Sequence, residues 1–367
     1  MSGARSVTVG LVGPLPPPSG GMATQTRQLA RLLSDSGIAV EVVQTNAAYQ
    51  PAWIARIRAV RAAFRLVPYA IHLWRCARRV DLMHVMANSG LAWHLFAAPA
   101  VWIAVLRDTP VIVNYRGGGA ETFLERRLAW VRPTLRRAFS LVVPSAFLER
   151  LFARFGFVAE VVPNIVDVER FRPASERAAR RHIVVTRNLE DIYDIATALR
   201  AFAEIHRKHS DATMTIAGSG PRLKDLQKLS ETLGISADVR FAGRLDNDDI
   251  ASLYRDADLM LNPSTVDNMP VSLLEAMASG VPIVSTNVGG IPDLVEDRRS
   301  ALLVPPRDPE AMAIAALRVL DDAALRDRLK REGLECAARY SWAQVGPRLF
   351  RVYARALGVA SLKHCVG

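Results

Sequence analysis

Apolar residues fall into two alternating registers along the chain. Short, mainly apolar runs at residues 7–12, 38–44, 82–86, 111–115, 141–143 and 160–162 predict strands. The segments between them carry helical spacing. In residues 22–35, for example, Leu29, Leu32 and Leu33 share one face and Gly37 marks the end. Strand, helix, strand in regular succession predicts parallel βαβ units and an α/β doubly wound sheet. The pattern then lapses. Residues 170–181 (RFRPASERAARR) are polar and charged and include one proline, as a linker would. It restarts with strands at 183–186, 213–217, 239–242, 259–262 and 281–286, separated by helices. A final helix is expected over 342–357, with Trp342, Val345, Leu349, Val352 and Tyr353 on one side. Two Rossmann-like domains follow, at 1–170 and 181–341, plus that terminal helix.

Size fits this division, since 367 residues suffice for two cores and half of them are hydrophobic. The longest apolar window, 91–106, holds His94 and Pro99 and is short for a membrane span, so a buried helix pair is expected. The first apolar run is broken by Gly10 and Gly13-Pro14, unlike a signal peptide. Cys76, Cys336 and Cys365 are scattered, which points to a reducing cytoplasm and no disulfide framework. The seven histidines form no HExxH pattern, and no metal site is expected.

Charge separates the halves. Residues 1–180 contain 23 arginines, no lysine and 11 acids, whereas 181–367 contain 24 basic and 25 acidic residues. Seven arginines and no acid lie in residues 51–80, interleaved with Trp53, Ile54, Ile57, Phe64, Leu66, Tyr69, Ile71, Leu73 and Trp74. A basic, aromatic helical surface suits anionic lipid headgroups, which places the chain at the inner face of a membrane as a peripheral protein. A solvated helix face explains the same residues. Nucleic acid is disfavoured as a partner because no nucleic-acid motif accompanies the charge.

Residues 262–293 (NPSTVDNMPVSLLEAMASGVPIVSTNVGGIPD) carry the most chemistry. Asp267-Asn268, with Pro270 just inside, starts a helix and Gly280 stops it. Gly289-Gly290 then lies at a strand's carboxyl end, where open α/β sheets bind ligands. Free N–H groups at a helix start attract phosphate, and a nearby carboxylate accepts hydrogen bonds from sugar hydroxyls. Glu275 sits eight residues after Asp267, within an otherwise apolar helix. The combination suggests a site for a sugar joined to phosphate.

This stretch resembles the donor-binding signature of glycosyltransferase family 4, in the GT-B fold group: two acids separated by seven residues, then Ala-Met-Ala-x-Gly, a strand and Gly-Gly. Here the acids are Asp267, where the family usually has glutamate, and Glu275, followed by Ala276-Met277-Ala278-Ser279-Gly280. Pro18 to Gly21, Val143-Pro144-Ser145, residues 162–167 and Phe171-Arg172-Pro173 extend the resemblance over nearly the whole chain. It implies two Rossmann-like domains facing across a cleft, with the last helix crossing back onto the first. It also implies a retaining, metal-independent transfer from a nucleotide-diphospho-sugar of UDP or GDP type, with no other cofactor. The acceptor would be a saccharide or lipid-linked saccharide.

By the same resemblance, Gly20-Gly21 belong to the donor phosphate and acceptor side, although a tight turn also explains them. Arg187 contacts the pyrophosphate, in place of a surface ion pair. The family's usual lysine five or six positions later is Ile192 or Tyr193 here, and the next lysine is Lys208. Glu275 takes the nucleotide ribose, Asp267 the transferred sugar, and the backbone N–H groups of Asn268, Met269 and Val271 phosphate or sugar. Arg244 closes the base-holding region 241–244. Arg116 stands where many members have histidine. It stays protonated, so it binds acceptor phosphate or donor sugar instead of acting as a base. His84 ends a strand and faces substrate, or serves as a structural hydrogen-bonder. Gly218-Ser219-Gly220 lacks the third glycine of a dinucleotide loop. Two other readings share the fold: a degenerate sugar-nucleotide-binding protein and a sugar-nucleotide epimerase.

Overall fold

The computed structural model describes residues 7–17, 21–47, 61–174, 180–360 and 362. The chain divides into two compact units, one of residues 1–163 with 345–367 and the other of residues 164–344. Each is built on one six-stranded sheet, and every strand pairing is parallel.

In the first unit β1 (Thr8–Gly13), β2 (Ala39–Gln44), β3 (Leu82–Ala87), β4 (Val111–Tyr115), β5 (Ser140–Val143) and β6 (Glu160–Val161) lie in the order β2-β1-β3-β4-β5-β6. They alternate with α1 (Gly21–Asp35), α2 (Arg61–Ala77), α3 (Ala98–Leu106), α4 (Ala120–Leu135) and α5 (Ala146–Arg154). β3 and β4 are buried along their whole length, as central strands of a covered parallel sheet are. Residues 91–106 form one continuous helical stretch, not a helix pair. A π-turn at Trp93–Ala97 runs into α3 and absorbs Pro99 at the start of that helix. Among the described residues no helix is long and apolar enough to cross a membrane.

In the second unit β7 (His182–Thr186), β8 (Thr213–Ala217), β9 (Val239–Gly243), β10 (Leu259–Asn262), β11 (Ile283–Thr286) and β12 (Leu302–Val304) take the order β12-β11-β10-β7-β8-β9. The helices are α6 (Ile195–Lys208), α7 (Leu223–Thr232), α8 (Asn247–Arg255), α9 (Val271–Ala278), α10 (Ile291–Leu294), α11 (Pro309–Asp321) and α12 (Ala323–Ala338). Side-chain alternation along β7 sends Ile183 and Val185 into one apolar cluster and Val184 into another. The sheet therefore carries a core on each face. The terminal helix, α13 (Trp342–Leu357), belongs from Val345 onward to the first unit.

One polar chain ties α13 to the first sheet. His84 Nδ1 lies 2.7 Å from the Tyr353 hydroxyl, and His84 Nε2 lies 3.0 Å from Asn114 Nδ2. Asn114 Oδ1 accepts from Arg116 Nε at 3.1 Å, so the Asn114 amide must donate to His84 Nε2. That fixes the tautomer: the ring is neutral, with its proton on Nδ1 and donated to Tyr353. His84 is thus a structural hydrogen-bonder in the middle of β3 with no exposed surface, not a strand-end residue facing substrate. Burial, aided by the Arg116 charge, pushes its pKa down to about 3.

The unfolded chain protonates this imidazole near its ordinary value of 6.5, while the folded chain holds it neutral to about 3. Between those values the unfolded state binds more protons, so stability falls as pH drops below 6.5. The thermal midpoint of the wild type is expected to fall more between pH 7 and pH 5 than that of His84→Gln. Equal falls would show that His84 is not held neutral.

Candidate active site

Parallel strands end on one edge of their sheet, so β7, β10 and β11 deliver their last residues to one place. Arg187 follows β7. Its Nε donates to Asn262 Oδ1 at 2.8 Å, and its Nη2 donates to Asp267 Oδ2 in a close ion pair. Its guanidinium carbon lies 5.2 Å from the centre of the Tyr193 ring, a cation–π contact. Asn262 is fully buried at the end of β10, and each of its polar atoms is used. Oδ1 also accepts from Ser264 Oγ at 3.0 Å, and Nδ2 donates to Ser285 Oγ of β11 at 2.9 Å. Asn262 therefore welds three strand ends to Arg187. Sequence reasoning assigned it no role, although a single amide closing the run Leu-Met-Leu-Asn was the available signal.

Asp267 is fixed by its backbone as well as by Arg187. Its carbonyl accepts from Gly290 N at 2.9 Å, and its Oδ1 accepts from the Asn268 N–H at 3.0 Å. That amide, expected to face a ligand, is occupied by the side chain before it. Gly289 has φ +55°, and a Cβ there would stand 2.0 Å from the Asp267 carbonyl oxygen. The Gly289-Gly290 pair thus lets two loops touch. Burial raises the Asp267 pKa, while Arg187, the Asn268 N–H and Ser264 pull it back.

Helix α9 starts at Val271, with Pro270 at the N-cap in extended conformation, one position outside the expected place. The difference follows from Pro270 ψ of 119°, which no helical residue adopts. Gly280, at φ +69°, ends the segment as expected. Met269 is buried, and its carbonyl accepts from Asn164 Nδ2 at 2.7 Å. In the first turn of α9, the buried Ser272 hydroxyl has no hydrogen-bond partner among the described residues.

Glu275, one turn further along α9, has no hydrogen bond to its carboxyl among the described residues. It senses the positive charges of Arg187 and Arg170, yet burial dominates and pushes its pKa up to about 8. The structure therefore gathers Arg187, Asp267 and Glu275, with Asn262 and Tyr193, at one sheet edge. Arg244 is exposed on the loop after β9, where its Nη2 donates to Ser219 Oγ at 3.3 Å, and it makes no contact with the pair. The Gly218-Ser219-Gly220 loop supports Arg187 from behind, since a Cβ on Gly218 would stand 1.9 Å from the Arg187 carbonyl oxygen. A Cβ on Gly220 would stand 2.3 Å from the Leu189 carbonyl oxygen, so main-chain packing accounts for both glycines without a dinucleotide.

In the first unit, Arg116 Nη1 donates to Gln25 Oε1 of α1 at 3.3 Å. Burial pushes its pKa down to about 10, so it stays cationic at neutral pH. Gly21 opens α1, and a Cβ there would meet nothing within 4 Å, whereas Gly20 lies outside the described residues. The loop before it is tied back by Asn46, which accepts from Leu15 N at 2.9 Å and donates to Leu15 O at 2.7 Å. Among the described residues, no three His, Cys, Asp or Glu side chains converge as a metal site would require.

Two parallel α/β units, one carrying an acid–arginine cluster at its strand ends, define a GT-B-type protein. Residues 167–335 match the family described as Glycosyl transferases group 1, and residues 19–170 match Glycosyltransferase Family 4. The chain belongs to this glycosyltransferase family. It is 33% identical over 215 residues to a D-inositol 3-phosphate glycosyltransferase from Corynebacterium urealyticum, covering 53% of this chain and 50% of that protein. It is 28% identical to a Mycobacterium tuberculosis glycogen synthase, covering 76% and 69%. The chain spans about half the length of the inositol-phosphate glycosyltransferase relatives. In fold it is similar to a sucrose-phosphate synthase from Thermosynechococcus elongatus, with TM-score 0.78, 19% identity and coverage of 96% and 99%. It is also similar to Anabaena HepE in complex with UDP-glucose, with TM-score 0.75, 18% identity and coverage of 95% and 99%.

Two outcomes are expected. Glu275 holds its proton to about pH 8 in the folded chain and to its ordinary 4.5 when unfolded. Its linkage therefore favours folding below 4.5 and is lost as pH rises through 8. Glu275→Gln should flatten the decline in thermal midpoint between pH 5 and pH 8, and an unchanged slope would refute the raised pKa. Gly289→Ala should cost more than the strain of a left-handed alanine, roughly 1 kcal/mol, because its methyl also meets the Asp267 carbonyl. Gly234→Ala, at φ +72° in open space, supplies the strain alone. Equal costs in denaturant melts would remove the packing role of Gly289.

Proposed function

We propose that the chain is a retaining glycosyltransferase that moves a sugar from a nucleotide-diphospho-sugar to a saccharide or lipid-linked saccharide, without a metal. The observation that carries this reading is the Arg187–Asp267–Glu275 cluster at the carboxyl ends of β7 and β10. In it, Arg187 binds pyrophosphate oxygens and stabilises the charge that develops on the leaving nucleoside diphosphate. Asp267 holds a hydroxyl of the transferred sugar. Glu275, whose carboxyl has no hydrogen-bond partner among the described residues, takes the ribose hydroxyls. The N–H groups of Met269 and Val271 add donors at the start of α9. Arg116, still cationic, serves a phosphate or hydroxyl of the substrates. Such a site works by positioning and by oriented charge, and no side chain in it need form a covalent bond. A UDP-linked donor is the first to test, because the HepE structures bind UDP and UDP-glucose.

One observation favours a second reading, a sugar-nucleotide-binding protein without turnover. Arg187 is committed to Asp267, and Tyr193 rather than a second cation lies against it. The two readings part on product: both bind nucleotide, but only the transferase releases it when acceptor is present.

Ligand that binds the folded state alone raises the thermal midpoint by mass action. UDP, GDP, ADP and their sugar conjugates should be compared on wild type, Glu275→Ala and Arg187→Ala. One nucleotide is expected to stabilise the wild type, with at least tenfold weaker binding in each variant, since each loses one charged or doubly hydrogen-bonded contact. No shift at millimolar concentration with any nucleotide would overturn the donor-site reading.

A further inference from the structure

Helix α2 has two apolar faces. Tyr69, Leu73, Cys76 and Ala77 point into the core of the first unit and are nearly fully buried. Phe64, Val67, Ile71 and Trp74 are 48%, 57%, 47% and 43% exposed. Their spacing of three, four and three residues keeps them within an arc of about 80° at 100° per residue, on the side of the helix away from the core. Four large exposed side chains in one stripe are not the scattered single residues normal on a soluble surface.

The charge along α2 itself has one sign. No acidic residue occurs between Glu41 and Asp81. Arg75 and Arg78 are exposed and have no partner among the described residues, while Arg79 and His72 both face Glu41. Helical spacing puts Arg75 at the border of the stripe, and Arg78 lies in the turn just past the last residue of α2. The Arg107 guanidinium lies 4.7 Å from the centre of the Trp74 ring and follows Leu106, the last residue of α3, which is 67% exposed. Trp102 of α3 is partly exposed and carries Arg137 over its ring at 5.5 Å. Aromatic rings and leucine with guanidinium groups over or beside them match the chemistry of a bilayer interface, where the body of the side chain is buried and the cation stays with phosphate.

We propose that this face docks on an anionic membrane surface, with α2 lying in the plane of the interface. Phe64, Val67, Ile71 and Trp74 enter the headgroup–acyl boundary, and Arg75, Arg78 and Arg107 meet lipid phosphates. A second copy of the chain is a poorer occupant. A two-fold contact brings the same patch of each copy together, so it would set arginines against arginines with no acid on the helix to offset them. Nucleic acid would leave the apolar stripe in water. The inference stands apart from the transferase reading, because it uses residues outside the acid–arginine cluster and needs no nucleotide.

The test is cosedimentation of the full chain with vesicles of phosphatidylcholine alone or with 30% phosphatidylglycerol. Binding is expected to the anionic vesicles and not to the neutral ones, and to weaken as salt rises. Arg75→Gln with Arg78→Gln should weaken it on the order of 30-fold, and Val67→Gln with Ile71→Gln by at least tenfold. All four positions are exposed, so unchanged thermal midpoints are expected to show that the variants fold. Failure to bind anionic vesicles, or binding that both double variants retain, would overturn the proposal. So would a dimer in light scattering that Val67→Gln with Ile71→Gln disperses, since the face would then be an interface between copies.

Discussion

The ion pair between Arg187 and Asp267 is the constraint around which the second unit's functional edge is arranged. Both side chains are nearly buried, at 11% and 13% exposure, and either one left alone there would cost several kcal/mol. The fold meets that demand with neighbours from every adjacent strand. Asn262 at the end of β10 accepts from Arg187 and anchors itself on Ser285 of β11. Gly289 and Gly290 lie against the Asp267 backbone, and Gly218 lies against the Arg187 backbone. These glycines look like ligand loops in the sequence, but in the structure their lack of a side chain lets main chains meet. Pre-organisation of the two charges is therefore a property of three parallel strand ends and two loop contacts, not of two flexible side chains.

The first unit solves a different electrostatic problem. It is rich in arginine and free of lysine up to residue 180, and it uses guanidinium groups as both core and surface pieces. Arg116 is drawn into a directional chain that runs through Asn114 and His84 to Tyr353 on the terminal helix. A buried cation at one end favours a neutral imidazole further along, which is why burial and Arg116 both depress the His84 pKa. The same chain couples α13 to the inner strands, so the last helix is held by polar geometry as well as by Val345, Leu349 and Val352.

Much of this was legible from residue order, for physical reasons. Continuous apolar runs mark strands covered on both faces, and six strands of the first half and five of the second were visible in them, whereas the three-residue β12 (Leu302–Val304) was too short to read. Helix stops were legible where glycine at positive φ is required, as at Gly37 and Gly280. The acids of the donor-like signature and Arg187 came together at one edge because parallel strands share an edge. What the sequence hid depended on contacts distant along the chain. His84 sits within β3 and not at its end, because three further residues, Val85 to Ala87, complete the strand. The amide of Asn268 turned inward to Asp267, which only the local loop shape decides. Asn262 was missed because a single amide in an apolar strand has no periodic signature, and its value lies in partners 23 and 75 residues away. Along α2, the interleaved arginines and aromatics were visible, but only packing separated Tyr69 and Leu73 from Phe64, Val67, Ile71 and Trp74.

The substitution of Tyr193 for a second cation has a consequence for charge balance. A pyrophosphate brings negative charge to a guanidinium already neutralised by a carboxylate. In a region of low dielectric, the anion and Asp267 cannot both lie close to Arg187 without repulsion. On the transferase reading, donor binding therefore requires the carboxylate to turn from Arg187 to a sugar hydroxyl, and the arginine to turn from carboxylate to phosphate. The Tyr193 ring favours this exchange because its attraction for the guanidinium does not depend on which anion is present. Asn262 keeps hold of Nε throughout, so only the terminal nitrogens change partners. A carboxylate of aspartate length suits the motion, since its short side chain ties its position to the Gly289–Gly290 contact. On that reading the same ion pair sets the threshold a ligand must exceed, which disfavours anions lacking a hydroxyl to offer Asp267 in return.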